Sequence, residues 1–145
     1  MSFPPAVFLT ALGLGFLLNF LLPLTSFSSV PFRITGALLG LAGSSLGTWG
    51  AYTLHHAGTT VRPDRPVTAL VTAGPFRYSR NPLYLALTTI YVGITVYAGI
   101  FWPFITLIPA LAVVNWKIVH REESYLESRF GENYRAYKER VRRYI

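Results

Sequence analysis

The chain contains no cysteine, one methionine and three histidines, and its six acidic residues face thirteen lysines and arginines. Without cysteine there is no disulfide framework, no thiolate metal site and no cysteine nucleophile. His55, His56 and His120 are too few and too badly spaced for a zinc ligand set, so no metal site is expected. Charge is scarce as well. Only 13% of residues are charged, where a soluble domain carries about a quarter, while 52% are hydrophobic and the mean hydropathy is +0.40. A chain of this composition is solvated by lipid. In a soluble protein the net charge of +7 would point to nucleic acid. Here the anionic partner is the membrane surface, and no nucleic-acid partner is expected.

The 145 residues suit a single domain, residues 1–145. Four apolar stretches are read as membrane spans, at about 6–24, 34–54, 83–98 and 103–119. No basic region precedes the first and no small-residue cleavage site follows it, so it is read as a retained span and not as a signal peptide. Gly13 and Gly15 in the first span, and Gly36, Gly40, Gly43, Ser44 and Gly47 in the second, offer small faces for close helix packing and permit a homodimer. From Leu83 to Val119 the sequence is apolar for 37 residues, about 55 Å as one helix against a hydrocarbon core of about 30 Å. It must therefore fold back, and Gly99-Ile100-Phe101-Trp102-Pro103 supplies the reversal.

A polar connection over 55–81, with Thr59, Thr60, Pro63, Pro66 and Gly74, is expected to be an ordered loop. The last span runs without a breaker into His120-Arg121-Glu122-Glu123, so its helix should continue into water. Tyr125, Leu126, Phe130, Tyr134, Tyr137 and Val141 recur every three to four residues, an amphipathic stripe broken at Gly131. The piece from Glu132 to Tyr144 is expected to lie on the membrane surface with its basic residues toward headgroups. Four of the thirteen basic residues (Arg62, Arg65, Arg77, Arg80) fall between the second and third spans and eight from Lys117 onward; Arg33 alone lies on the other side. The positive-inside rule then places the N-terminus, the loop and the tail in the cytoplasm. The fold class is thus all-α: a polytopic protein of about four spans, with a C-terminal helical lid over 120–145.

Chemistry concentrates in Gly74-Pro75-Phe76-Arg77-Tyr78-Ser79-Arg80-Asn81-Pro82-Leu83-Tyr84. Pro82 suits the first position of a helix, which puts Asn81 at the N-cap, where unpaired N–H groups favour anions. Antiparallel third and fourth spans should return His120–Glu123 to the neighbourhood of Asn81–Tyr84. Glu122 and Glu123 would then face Arg77, Arg80 and Asn81. An interfacial loop holding lipid headgroups, or a structural Arg–Glu pair, accounts for the same residues without catalysis.

The run from Leu70 to Tyr84 resembles the signature of a superfamily of integral membrane methyltransferases, whose best-known members are the isoprenylcysteine carboxyl and phospholipid N-methyltransferases. Their pattern is a Gly-x-Tyr/Phe turn followed by Arg-His-Pro-x-Tyr-x-Gly. The second half is similar too: Glu122-Glu123, Leu126, Phe130-Gly131, Tyr134, Tyr137 and Val141 follow that group's Glu-Glu-x-x-Leu and Phe-Gly-x-x-Tyr-x-x-Tyr-x-x-x-Val. Asn81 stands where histidine is common, which removes any imidazole role. Ala86 replaces a glycine, and Phe76 lacks a tyrosine's hydroxyl.

The resemblance implies S-adenosylmethionine on the cytoplasmic side, held by Leu70, Val71, Phe76, Tyr78, Asn81, Pro82, Leu83, Tyr84 and Glu122. Glu122 would take the ammonium, and Arg80 with the helix-start N–H groups the carboxylate. Arg80, Glu123 and Arg121 are the candidates for acting on the acceptor, Glu123 or a histidine as a proton acceptor and Arg121 or Lys117 as an orienting charge. The acceptor would be lipophilic and enter from the bilayer: an isoprenylcysteine-type carboxylate, a phospholipid amine or a small thiol. The setting would be a bacterial or archaeal inner membrane. Two other readings compete, an NADPH-dependent enzyme like the membrane sterol reductases, which have a similar tail, and a non-enzymatic scaffold holding anionic lipid.

Overall fold

The computed structural model describes residues 4–24, 26–59 and 67–145. The loop residues Thr60, Arg62, Pro63, Arg65 and Pro66 lie outside the described residues. The described chain forms helices α1 (Pro4–Leu21), α2 (Val30–His56), α3 (Pro82–Ala98), α4 (Trp102–Val113), α5 (His120–Phe130) and α6 (Glu132–Arg140), and among the described residues there is no strand. A 3₁₀ turn over Gly74–Arg77 precedes α3, and a π-helical segment over Val114–Val119 joins α4 to α5. The fold is all-helical, as the composition and apolar runs predict. Among the described residues two helices are long and apolar enough to cross a membrane: α1, and the unbroken helix Trp102–Phe130. Of the other two predicted spans, α3 is apolar but has 17 residues. α2 reaches 27 residues, its apolarity diluted by glycine, serine and threonine.

The predicted boundaries shift. α1 begins at Pro4 and ends at Leu21, earlier than expected, and α2 opens at Val30 because Pro31 suits its first turn. The amphipathic piece expected to run to Tyr144 stops at Arg140. From Val141 (φ −122°, ψ 126°) the chain is extended, and its carbonyls bond elsewhere.

α2 and α3 form the most extensive interface. Its seam steps by seven residues, through the buried Gly36, Gly43 and Gly50. A Cβ on Gly36 would stand 2.7 Å from the Gly93 carbonyl oxygen, one on Gly43 2.9 Å from that of Ala86, and one on Gly50 2.9 Å from Leu83 Cδ2. Backbones this close need glycine, and dispersion over the closed gap holds the pair. Ser44 is not on this seam: it is exposed and returns its hydroxyl to the Gly40 carbonyl.

α1 packs on α4, with Gly15 against Pro103, whereas Gly13 faces open space. Thr106 Oγ1 donates to the Ala11 carbonyl at 2.8 Å, and the Tyr91 hydroxyl donates to that of Pro103 at 2.8 Å. These buried bonds tie α1, α3 and α4 where apolar surroundings would leave a free hydroxyl costly. Phe8, Ala11, Tyr91, Leu107, Ala110, Val114, Ile118 and Val119 fill the core between them. The reversal between α3 and α4 lies where the sequence places it. Gly99 takes the left-handed conformation (φ +69°), closes α3 and accepts a bond from Phe27 N–H. The candidate site lies at the opposite end of α3.

Candidate functional site

Pro75 and Phe76 of the 3₁₀ turn are buried, and Pro75 lies near Gly50 of α2. The Phe76 carbonyl accepts a 2.7 Å bond from the hydroxyl of Tyr137, itself 4% exposed. This bond docks α6 onto the turn. Tyr134 and Tyr137 are therefore buried in protein instead of resting on headgroups. Burial pushes the Tyr137 hydroxyl up to about 12, with Tyr134 adding to the effect and Arg80 opposing it. The corner that aims α6 at the turn is Gly131 (φ +51°, ψ −123°), a backbone region that favours glycine. The sequence reading of a break there holds.

After the turn the chain meets its own C-terminal segment. Arg80 N–H donates to the Arg142 carbonyl at 3.0 Å. The Arg143 carbonyl accepts from Asn81 N–H (3.1 Å), Asn81 Nδ2 (3.3 Å) and Ser79 Oγ (3.1 Å). Asn81 is the N-cap residue of α3, as Pro82 predicts, but its side chain makes no capping bond. It holds the tail instead.

Two acidic side chains complete the cluster, in different ways. Glu123 is buried and bound by two guanidiniums. Arg143 grips it through Nη2 at 2.6 Å and Nε at 3.1 Å. Arg80 Nη1 lies 3.0 Å from Oε1 on the other side. That last contact is an ion pair without hydrogen-bond alignment, so among the described residues Arg80 Nε and Nη1 are buried donors with no hydrogen-bond acceptor. Arg143 also donates through Nη1 to Asn115 Oδ1 at 3.2 Å, as does the Tyr144 hydroxyl. Asn115 belongs to the π segment, which turns it toward the tail. Glu122, one residue away, is only partly buried and among the described residues meets no arginine. Its Oε1 accepts the Tyr84 hydroxyl at 2.8 Å, and among the described residues no protein donor reaches Oε2. The carboxyl stands on the polar extension beyond Val119. Burial pushes it above the ordinary carboxylate range, and the Tyr84 hydrogen bond opposes this.

The structure thus brings Arg80, Asn81, Tyr84, Glu122 and Glu123 together, 38 residues apart in sequence at the Tyr84–Glu122 bond. Pro82 opens α3 inside the same corner. Leu70 and Val71 are half-buried in the segment before the turn, which is tied to α5 by Arg129 Nε donating to the Val67 carbonyl at 2.8 Å. Leu83 packs on Gly50 of α2. Two candidates stand apart: Tyr78 is 70% exposed, and Arg121 is exposed with no hydrogen bond or ion pair among the described residues. The sequence reading missed Ser79, Asn115, Arg143 and Tyr144. Asn115 left one signal, as the single amide in the apolar run from Leu83 to Val119.

The arrangement offers a carboxylate oxygen without a protein donor among the described residues, beside a buried guanidinium that Glu123 braces. Comparison with known proteins bears on what such a corner does. A sequence profile of phospholipid methyltransferases matches residues 31–133, a range that takes in α2, the turn, α3, the double glutamate and the start of α6. An uncharacterized protein of Haemophilus influenzae is 40% identical over 63 residues, 43% of this chain and the whole of that protein. No solved structure matches. With the larger part of its length matched, the chain belongs to the phospholipid methyltransferase family.

Proposed function

We propose that this protein is an integral membrane methyltransferase that uses S-adenosylmethionine, its four longer helices crossing the bilayer and the corner around Glu122 facing the cytoplasm. The observation that carries the reading is the Tyr84–Glu122 hydrogen bond. It joins the two separated motifs at one point and leaves a carboxylate oxygen over. The donor set fits the cofactor: Glu122 Oε2 suits an ammonium, the N–H groups that open α3, which no side chain caps, suit a carboxylate with the Arg80 charge close by, and Leu70 and Val71 offer apolar surface for adenine. When bound, the cofactor supplies a methyl group on a sulfonium.

The protein's own part is placement and exclusion of water, since an in-line displacement needs alignment above all. Glu123, gripped by two arginines, braces Arg80 and the tail, and its lone pairs are already engaged. If the acceptor is an ammonium, Glu122 is the better placed of the two glutamates to take a proton, because its Oε2 has no protein donor among the described residues and burial raises its proton affinity. The family's name makes a phospholipid amine the first acceptor to test, with an isoprenylcysteine-type carboxylate and a small thiol beside it. Each would approach between helices from the bilayer.

The test is equilibrium binding of labelled S-adenosylmethionine to the purified protein in nanodiscs, followed by transfer of label to a total lipid extract. Wild type should bind, while Glu122→Gln and Tyr84→Phe should weaken binding by about tenfold, the share of one charge-assisted hydrogen bond. Binding of NADPH in place of the methyl donor would transfer the protein to a reductase class. Binding of neither would leave a lipid-holding scaffold.

A further inference from the structure

Beside the corner just described lies a second feature that methyl transfer does not use. A cleft of about 250 Å³ opens between the 3₁₀ turn and α6, lined by Thr72, Arg77, Tyr137, Arg140 and Val141. Small-molecule sites typically measure about 300–1,000 Å³, so a nucleoside cofactor is too large for it and a single headgroup-sized anion is not.

Two guanidiniums reach this cleft from elements 63 residues apart, and both side chains are exposed. Among the described residues neither forms an ion pair with a carboxylate. Among the described residues the one protein bond between them is a local one, from Arg140 Nε to the Ala136 carbonyl at 3.1 Å, and none reaches either terminal nitrogen of that guanidinium. Their convergence is built in. The Tyr137–Phe76 hydrogen bond clamps α6 to the turn between the two arms, so neither arginine's backbone can move off without breaking a buried contact. Like charges set around one cleft repel, and an anion between them reverses the sign of that term. The Thr72 hydroxyl at the rim adds a neutral donor.

We propose that this cleft is a phosphate-binding site that takes a phosphodiester or phosphomonoester in the fork of Arg77 and Arg140. A phosphate's several oxygens can accept from two planar forks at once, which suits it better than a carboxylate. The ligand is either the phosphate of a membrane lipid or a soluble phosphate group, and the chemistry is shared. The assignment is independent of the methyl-transfer reading, because no residue of the Glu122 corner takes part.

Native mass spectrometry of the detergent-solubilised protein tests it. The probes are dihexanoyl phosphatidylglycerol, dihexanoylglycerol with the same chains and no phosphate, and inorganic phosphate. Wild type should retain the phosphatidyl lipid over the diacylglycerol by about tenfold or more. The double variant Arg77→Gln/Arg140→Gln should lose that preference, and Arg77→Lys/Arg140→Lys should keep only part of it, having charge without the fork. Arg135→Gln/Lys138→Gln removes two charges from the same helix outside the cleft and should leave retention unchanged. If inorganic phosphate displaces the lipid adduct, the natural ligand is a soluble phosphate; if it does not, a lipid headgroup is. Equal retention of the diacylglycerol, or equal loss in both glutamine double variants, would overturn the proposal.

Discussion

Glu123→Ala should be the most damaging single substitution on the polar face of this protein, for a reason that can be set against a nearby control. The Glu123 side chain is 8% exposed and that of Arg80 9%, whereas Arg143 keeps 33%. Removing the carboxylate leaves Arg80 as a buried cation with no counter-charge, and breaking a buried pair from one side costs about 3–5 kcal/mol. Arg143 can turn into water and loses much less. Arg143→Ala leaves the Arg80–Glu123 pair intact and removes a partner already screened by solvent, at about 1 kcal/mol. For a chain of this size each kcal/mol moves the midpoint by about 2–4 °C. Glu123→Ala should therefore lower the melting temperature by on the order of 10 °C and Arg143→Ala by about 3 °C, the double variant resembling Glu123→Ala alone. Differential scanning fluorimetry in one detergent at one scan rate reads all three, since membrane proteins commonly unfold irreversibly. If the two single variants melt together, or Arg143→Ala is the worse, Glu123 is no brace for a buried Arg80 and the energetic account of the corner is wrong.

Other expectations come from the same geometry. Tyr137→Phe should cost about 1–2 kcal/mol by leaving the Phe76 carbonyl unpaired. Tyr137 is raised from 10.0 to about 12 in the fold, so its contribution is complete below pH 10 and is lost as pH rises toward about 12. The melting difference between wild type and Tyr137→Phe should be flat below pH 10 and narrow above it. Gly36→Ala should separate α2 from α3 and melt early, while Gly13→Ala, with open space at its Cβ, should be neutral or stabilising by up to about 1 kcal/mol. Gly131→Ala forces alanine to φ +51° and should cost more than about 1 kcal/mol; limited proteolysis should then cut near α6. If Glu122 holds a cationic ligand, affinity for S-adenosylmethionine should fall as pH is lowered through its raised titration range, and Glu122→Gln should show a flat profile.

Much of this was readable in the chain. The helix at Pro82, the reversal at Gly99 and the break at Gly131 follow from residues with few conformational choices. The meeting of Tyr84 with Glu122 follows from the hairpin, since antiparallel helices return to the side they left. Apart from Asn115, the lone amide in its apolar run, the rest has no local signature. The tail from Val141 reads as the end of an amphipathic helix, because its tyrosine and arginine spacing fits one. It is extended because its backbone finds better partners in Ser79, Arg80 and Asn81, a tertiary choice that propensity cannot register. Ser44 has the size for the helix seam, yet the seam runs at seven-residue steps and passes it by. Tyr134 and Tyr137 show the period of a surface-lying helix, and period does not distinguish lipid from protein as the apolar partner.

The π segment at Val114–Val119 has a geometric effect on everything after it. An α-helix advances about 100° of azimuth per residue, and a π turn takes up one residue more than an α turn before its hydrogen bond closes. Wound as ordinary α-helix, the same six residues would leave α5 about one residue's rotation out of phase with α4, and Glu122 would swing away from Tyr84. The bearing of the double glutamate is thus decided by how the helix is coiled several residues upstream. A deletion of the exposed Trp116, letting the stretch rewind as α, would leave that bearing in place.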